Sequence, residues 1–266
     1  MKEFQNISLF LFDMDGTLYL GDRLYTFTKE LLDTIRRQGK RYLFMTNNSS
    51  KSVSDYVKKL AKLGIAATED DFMTSSQAMA YYLSLHHKDC YIYCSGTQSF
   101  VRELVSAGLH VTTDYDENIN CIVTGFDTEL TFKKLENLSR LLLKDVPYLA
   151  TNPDMVCPTE FGSVPDCGSV SDMLYNSTGR RPLFIGKPSP LMVELAMKKV
   201  GVTQEGTLVA GDRIYTDIEC GLRAGITTVL VMSGETTEEI LAASERKPAY
   251  VMRDCGELLD ALKQLD

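Results

Sequence analysis

The sequence has few histidines, no long apolar run and no excess of positive charge, and each shortage excludes a class of protein. Only three of its 266 residues are histidine, at positions 86, 87 and 110, so no zinc site of cysteine and histidine ligands is expected. No apolar stretch approaches the roughly 20 residues that a membrane span needs. The formal net charge of −8 argues against nucleic acid or an anionic membrane as the main partner.

The cysteines and the amino-terminal segment predict a cytoplasmic protein. Seven cysteines, an odd number, lie mostly inside apolar segments, which is typical of reduced core residues. The apolar run from Ile7 to Phe12 is followed at once by acids, without a small-residue cleavage site, so no secretion signal is expected. The chain is long enough for one large domain or two of ordinary size.

The segment that begins at Leu9 is the most informative, because an apolar run ends there in two carboxylates. The run is apolar on both faces of an extended chain, which is typical of a strand buried inside a parallel sheet. Asp13 and Asp15 follow it at the carboxyl end, where open α/β sheets bind their ligands. An EF-hand loop is excluded, because it would need glycine at Leu18 and glutamate at Leu24. A solvated turn is the plain alternative to a catalytic or metal site.

Polar residues also follow two further predicted strands, 41–45 and 183–185. Thr46 and Asn47 come after the predicted strand 41–45, where they can bind an anion or simply begin the next helix. Lys187 follows the predicted strand 183–185 between a glycine and a proline. That position favours a phosphate-binding lysine over one that only carries a solvated charge.

The fourth strand end again carries acids. Asp212 and Asp217 follow the predicted buried strand 207–210. Asp212 precedes the next helix and is the better candidate for a metal ligand. Asp217 has a rival role, because it can cap or stabilise the helix that runs to Gly225. Further on, Thr236 and Glu239 fit a capping box for another helix.

The middle of the chain predicts a second α/β unit that interrupts the first. Its predicted strands and helices are 90–94, 98–107, 119–124, 132–144 and 148–151. The stretch 151–154 and a glycine- and proline-rich run from 158 to 168 predict a long loop, either functional or a surface connector. The predicted organisation is a core of residues 1–80 and 181–266 with residues 81–180 inserted.

The four strand ends predict one phosphate-ester site, because parallel strands bring their carboxyl ends to one edge of the sheet. A carboxylate that attacks a phosphate anion meets repulsion unless a cation such as Mg²⁺ bridges them. Asp13 and Asp212 can supply carboxylate ligands to that ion. Asp15 can supply its backbone carbonyl, which leaves its own carboxyl free to work as an acid.

These assignments give each candidate a chemical role. Asp13 attacks phosphorus to form an aspartyl-phosphate, and Asp15 protonates the leaving alcohol and later deprotonates the hydrolytic water. Thr46, the backbone N–H of Asn47 and the Lys187 ammonium hold the phosphoryl oxygens. Asp217 orients Lys187 or metal-bound water without binding the substrate.

Four motifs in this order resemble those of the phosphatases of the haloacid dehalogenase superfamily. They are Asp13-Met14-Asp15-Gly16-Thr17, Thr46-Asn47-Asn48, Gly186-Lys187-Pro188 and Gly211-Asp212-Arg213 with Thr216-Asp217. The insert between the second and third motifs resembles the subclass IIA, NagD-like or para-nitrophenylphosphatase-like branch. The resemblance implies a Rossmann-like doubly wound parallel core, an inserted α/β cap of type C2, Mg²⁺ dependence and a homodimer formed through the cap.

The resemblance implies a small phosphate ester as substrate, with sugar phosphates and nucleoside monophosphates among the candidates. A phosphotransferase or mutase that uses the same intermediate is one alternative. A non-hydrolytic phosphoacceptor module is another, although it would need about half this length and no inserted cap. A dehalogenase is disfavoured because it needs neither Asp15 nor Asp212. A nucleotide-binding protein without turnover is disfavoured because no Gly-x-Gly-x-x-Gly follows a strand.

Overall fold

The computed structural model describes residues 4–159 and 161–265. Its strands are β1 (Leu9–Phe12), β2 (Tyr19–Leu20), β3 (Arg23–Leu24), β4 (Arg41–Thr46), β5 (Phe72–Thr74), β6 (Tyr91–Ser95), β7 (His110–Thr112), β8 (Cys121–Thr124), β9 (Tyr148–Ala150), β10 (Val156–Thr159), β11 (Gly162–Pro165), β12 (Leu183–Phe184), β13 (Thr207–Gly211), β14 (Thr227–Val231) and β15 (Tyr250–Met252).

The helices alternate with most of these strands, as an α/β fold requires. They are α1 (Thr28–Arg37), α2 (Val53–Lys62), α3 (Ser75–His86), α4 (Gln98–Ser106), α5 (Phe132–Leu141), α6 (Cys167–Thr178), α7 (Leu191–Val200), α8 (Glu219–Ala224), α9 (Glu238–Ala243) and α10 (Cys255–Lys263). Single turns of helix lie at Glu69–Asp71, Gln204–Gly206 and, in the wider π form, Ile214–Ile218. Within the described ranges, no helix combines the length and apolar character of a membrane span.

The chain divides into two compact units. The first unit contains the chain up to Thr46, the segment Tyr56–Met73 and the chain from Lys187 onward, and the second contains Asn47–Asp55 and Thr74–Gly186. The predicted insert, residues 81–180, lies within the second unit. Its predicted bounds at 80 and 180 stay a prediction.

The first unit is built on a six-stranded sheet in the order β15-β14-β13-β1-β4-β5. The chain leaves β1 in one direction through β4 and β5 and in the other through β13 to β15, which is a doubly wound order. All four residues of β1 are fully buried, and β1 pairs in parallel with β4 and β13. Helices α1 and α10 pack against each other, as do α7 and α8. The predicted α/β class with a Rossmann-like parallel core is confirmed.

The register of this sheet decides which residues meet at its carboxyl edge. Phe12, the last residue of β1, lies opposite Phe44 of β4 and Ala210 of β13. The Asp13 N–H continues the pairing by donating to the Ala210 carbonyl at 3.0 Å. The residues just beyond these three strands therefore leave the sheet at the same edge.

The second unit has a five-stranded sheet in the order β12-β9-β8-β6-β7, with every neighbouring pair parallel. Its core contains Tyr93, Ile122, Leu138, Leu141 and Tyr148. The leucines come from the apolar stripe of α5, and the other three residues come from the strands that α5 packs against. The predicted second α/β unit therefore has a core of its own.

The predicted long loop between 158 and 168 is wrong, because this stretch contains the antiparallel hairpin β10–β11 and the start of α6. Pro165 ends β11, and a proline inside a run argues against a strand, which hid the hairpin in the sequence. Asp166 then caps α6 by accepting the Cys167 N–H at 2.5 Å. The predicted capping box at Thr236 is also wrong, since Thr237 is the residue that caps α9.

Candidate active site

A buried lysine joins two of the predicted acids at the carboxyl edge of the first unit's sheet. The Lys187 Nζ donates to Asp13 Oδ1 at 2.7 Å and to Asp217 Oδ1 at 2.6 Å. It also lies 3.5 Å from the Met45 carbonyl, at the end of β4. Burial by itself would lower the lysine pKa, but the two carboxylates outweigh it and raise the pKa of Lys187. The lysine is therefore a charged ammonium held between Asp13 and Asp217.

Asp212 is fixed by the backbone of a different loop. Its Oδ2 accepts the Glu235 N–H at 2.7 Å, and its backbone carbonyl accepts the Thr236 N–H at 3.2 Å. Gly16 and Gly234 pack directly on the carboxylate: a Cβ at Gly16 would lie 2.6 Å from Oδ2, and a Cβ at Gly234 would collide with the same atom. Gly16 also has φ +85°, a conformation that favours glycine. These glycines therefore set the position of Asp212.

The other oxygen of Asp212 has no hydrogen-bond partner among the described residues. Oδ1 is buried and accepts nothing. Burial, followed by the charges of Asp13 and Asp217, raises the pKa of Asp212 to about 7. A buried acceptor without a donor is costly, so this oxygen is suited to a partner that supplies a hydrogen-bond donor or positive charge.

Asp13, Asp212 and Asp217 form a group suited to a divalent cation. Each offers a carboxylate oxygen, and these atoms lie within 4.8 Å of one another. It is the one such cluster of acids, cysteines or histidines in residues 4–159 and 161–265. Lys187 forms ion pairs with Asp13 and Asp217, and the charge of Arg213 acts on Asp212 as well. Carboxylate oxygens are hard donors, which divalent cations such as Mg²⁺ prefer.

Asp217 differs from the other two acids because both of its oxygens already have donors. Oδ1 accepts the Lys187 ammonium at 2.6 Å, and Oδ2 accepts the Arg213 N–H at 3.1 Å. Burial is the largest influence on this carboxyl and raises its pKa to about 6, although Lys187 opposes the rise. The contacts make Asp217 a support for Lys187 and for the loop after β13 rather than a free ligand.

The structure describes the surroundings of the three other predicted residues as follows. Asp15 is exposed, and its Oδ1 accepts the Gly21 N–H at 3.2 Å. Thr46 is half-buried at the end of β4 in the first unit. Asn47 begins the second unit, where its Nδ2 donates to Asp154 Oδ2 at 2.8 Å. Of the predicted residues, the structure brings together Asp13, Lys187, Asp212 and Asp217.

The loop after β14, residues 232–236, completes the surroundings of Asp212, and the motifs did not predict it. Besides the contacts of Glu235 and Gly234, the Ser233 Oγ donates to the Gly16 carbonyl at 2.6 Å. The Thr236 hydroxyl, predicted as a helix cap, instead accepts the Ile214 N–H at 3.2 Å. A signal was present, because this loop also follows a buried strand of the same parallel sheet.

Comparisons with known proteins agree with this site. A family model of haloacid dehalogenase-like hydrolases matches residues 10–110, and a model of HAD-like hydrolases matches residues 184–258. The chain is 31% identical over 260 residues to an acid sugar phosphatase of Staphylococcus haemolyticus, covering 98% of each protein. It is 35% identical over 248 residues to the 5'-nucleotidase YutF of Bacillus subtilis, covering 93% of this chain and 96% of the relative.

Solved structures match over almost the whole length. A 4-nitrophenylphosphatase from Thermotoga maritima superposes with a TM-score of 0.91 at 40% identity, covering 98% of this chain and 99% of that one. NagD from E. coli K-12 superposes with a TM-score of 0.86 at 26% identity, covering 94% and 98%. The chain belongs to the haloacid dehalogenase-like hydrolases. Within them it is a phosphatase of the NagD-like group, as the four motifs and the insert between the second and third of them predict.

Proposed function

We propose that this phosphatase hydrolyses a small phosphorylated metabolite with Mg²⁺, through an aspartyl-phosphate on Asp13. The observation that carries the proposal is the cluster in which Asp13 Oδ1 lies 2.7 Å from the Lys187 ammonium, beside the unpartnered Oδ1 of Asp212. A nucleophilic carboxylate, a fixed positive group and a vacant buried acceptor are the parts that attack on a phosphate ester needs.

In the first half-reaction a carboxylate oxygen of Asp13 forms a bond to phosphorus while the bond from phosphorus to the alcohol oxygen breaks. Asp15, in its acid form, gives its proton to that alcohol. In the second half-reaction the Asp15 carboxylate takes a proton from water, the water oxygen bonds to phosphorus, and the bond to Asp13 breaks. The products are the alcohol and inorganic phosphate, and both aspartates return to their starting states.

The remaining residues bind and orient. Thr46, the N–H of Asn47 and the ammonium of Lys187 hold the phosphoryl oxygens, and Asp217 keeps Lys187 in place. Asp13, Asp212 and the backbone carbonyl of Asp15 would hold Mg²⁺, which supplies positive charge that offsets the repulsion between carboxylate and phosphate.

The substrate belongs to the sugar phosphates or nucleoside monophosphates, and residues 81–180 act as a cap that selects it. Support comes from the names of two relatives, an acid sugar phosphatase and a 5'-nucleotidase, each aligned over more than nine-tenths of this chain. The test is the release of inorganic phosphate from a panel of both substrate classes, with Mg²⁺ and after chelation. Release from neither class contradicts the proposal, and transfer to added glycerol in place of water would indicate a phosphotransferase.

We further propose that the protein works in the cytoplasm as a homodimer formed through the second unit. All seven cysteines are free thiols, as a reducing compartment favours. The second unit exposes the large apolar side chains of Phe132, Leu143 and Phe161, each more than four-fifths exposed. Such side chains are common at interfaces between subunits. A monomeric mass by light scattering at micromolar concentration would contradict the dimer.

A further inference from the structure

The second unit begins and ends at residues adjacent to two of the proposed phosphate-binding residues. Asn47 follows Thr46 directly, and Gly186 precedes Lys187 directly. These two end residues pack against each other: a Cβ at Gly186 would lie 2.7 Å from the Asn47 Oδ1 and would collide with the Thr151 carbonyl. The Gly186 N–H donates to that carbonyl at 2.7 Å. One cluster of the second unit therefore holds the chain where it first enters this unit and where it last leaves it.

Asp154 is the charged member of this cluster. Its Oδ2 accepts the Asn47 Nδ2 at 2.8 Å and the Asn152 Nδ2 at 2.9 Å. Asn152 is fully buried, and its Oδ1 accepts the Thr151 hydroxyl at 2.8 Å. Hydrogen bonds to an ionised acceptor are stronger than neutral ones, so Asp154 fixes the Asn47 side chain firmly.

The backbone around Asn47 is held from other sides as well. The Asn47 carbonyl accepts the Ser75 hydroxyl at 2.6 Å. Two residues further on, the buried Ser49 Oγ lies 3.0 Å from the Thr151 Oγ1 and accepts the Phe126 N–H at 2.8 Å. The carbonyl and the side chain of Asn47 are thus both held, which places its Cα and, through the tetrahedral geometry at that carbon, its backbone nitrogen. The residue on the other side of that nitrogen, Thr46, ends strand β4.

We propose that Asp154 is a positioning residue for phosphoryl binding, because it holds Asn47 so that the backbone N–H of Asn47 keeps one orientation. This inference rests on the proposed function, in which that N–H binds a phosphoryl oxygen. The strength of a hydrogen bond falls steeply as its angle departs from linear. A loop that lets this peptide rotate would therefore bind the phosphoryl group less well, although Asp154 itself touches no substrate.

The test compares Asp154→Ala and Asp154→Asn with Asp145→Ala, which removes an exposed acid of the same unit. Binding of inorganic phosphate in the presence of Mg²⁺ is measured by calorimetry, and kcat and KM are measured with 4-nitrophenyl phosphate and one alkyl phosphate. Asp154→Ala should weaken phosphate binding about tenfold or more, the range for loss of one charge-assisted hydrogen bond. The factor should be the same for both esters, because they share the phosphoryl group. Asp154→Asn retains an acceptor oxygen and should stay within about threefold of wild type.

A double-mutant cycle separates positioning from a purely structural role. In an Asn47→Ala background the side chain that Asp154 holds is gone, so Asp154→Ala should then cost less than about twofold. An equal loss in both backgrounds overturns the inference. So does a lower Tm with unchanged phosphate affinity. If Asp154→Ala fails to fold, Asp154→Ser, which is too short to reach Asn47, takes its place.

Failure of this inference can be told apart from failure of the proposed function. If wild type releases phosphate from esters and the Asp154 variant binds phosphate like wild type, only the inference is wrong. If wild type releases no phosphate, the proposed function is wrong. If wild type also binds no inorganic phosphate, there is no phosphoryl site to position, and the inference is overturned with it.

Discussion

Both units hold buried and half-buried acids near the carboxyl edge of a parallel sheet, but the acids have different partners in the two units. In the second unit, Asp154 and Asp166 accept hydrogen bonds from the amides of Asn47 and Asn152 and from the Cys167 N–H. In the first unit, Asp13 and Asp217 share the ammonium of Lys187, and the Asp212 Oδ1 accepts no hydrogen bond from the described residues. Acids with enough neutral donors therefore support a structure, whereas neighbouring acids with a vacant buried acceptor favour a site for a cation.

The largest expected effect is at the nucleophile of the first unit. Asp13→Asn keeps an oxygen near Lys187 but removes the attacking carboxylate, so turnover should fall by more than about 10⁴-fold. Steady-state hydrolysis of 4-nitrophenyl phosphate measures the loss, and the Tm reports whether the fold is kept. Asp33→Asn changes an exposed acid of the same unit and should leave the rate unchanged. Activity of Asp13→Asn near the wild-type level would rule out Asp13 as the nucleophile.

The next effect concerns Asp212, whose buried Oδ1 has no donor among the described residues. A chelator should abolish activity, and Mg²⁺ should restore it. Asp212→Asn removes one of the carboxylate charges and should weaken Mg²⁺ binding by about 100-fold. The measurement is the Mg²⁺ concentration at half-maximal rate, together with the rise in Tm that Mg²⁺ gives to the inactive Asp13→Asn background. If Asp212→Asn needs no more Mg²⁺ than wild type, the contrast between the two units does not reflect metal binding.

An effect that depends on the leaving group is expected at the exposed acid, Asp15. Asp15→Asn removes the proton donor, so hydrolysis of alkyl phosphates should slow by about 10²–10⁴-fold. Formation of the intermediate from 4-nitrophenyl phosphate should be affected far less, because nitrophenolate leaves without a proton. Burst kinetics with this ester measure that step separately from the later hydrolysis. Equal slowing of the first step for both esters would argue that Asp15 acts in some other way.

The fold and the meeting of the acids could be predicted because both depend on strand ends of a parallel sheet. The register that places Phe12 opposite Phe44 and Ala210 brings Asp13 and the residues after β4 and β13 to one edge. Lys187, far away in the chain, reaches Asp13 from the start of the last segment of the first unit. The structure shows their proximity, and their catalytic roles stay predictions that the variants above test.

The parts of the fold and of the site that could not be predicted depend mainly on contacts between loops that lie far apart in the sequence. Nothing in the local sequence links Glu235 to Asp212, because the hydrogen bond comes from a backbone N–H, which every residue except proline carries. The hairpin β10–β11 was missed because its strands are short and contain proline. The contact between Asn47 and Asp154 joins residues whose separation only the fold of the second unit can close.

The smallest effect is expected in the second unit, where Asp166 should make the stability of the protein depend on pH. Burial raises the pKa of Asp166 from an ordinary 3.8 to about 6, and the charge of Asp154 contributes to the rise. A folded pKa above the unfolded one means that wild type loses stability as the pH rises from about 4 through 6, relative to a variant without this charge. Asp166→Asn keeps the acceptor oxygen for Asn152 and Cys167 but cannot ionise. Its unfolding free energy should therefore not show the fall with rising pH that wild type shows, which amounts to about 2–3 kcal/mol. Denaturant unfolding of both proteins at pH 4.5 and 7.5 measures it, with Asp145→Asn as the exposed control. Parallel pH profiles for wild type and Asp166→Asn would show that the amide donors hold this carboxylate ionised at both pH values, and the cluster would then tolerate charge better than its burial indicates.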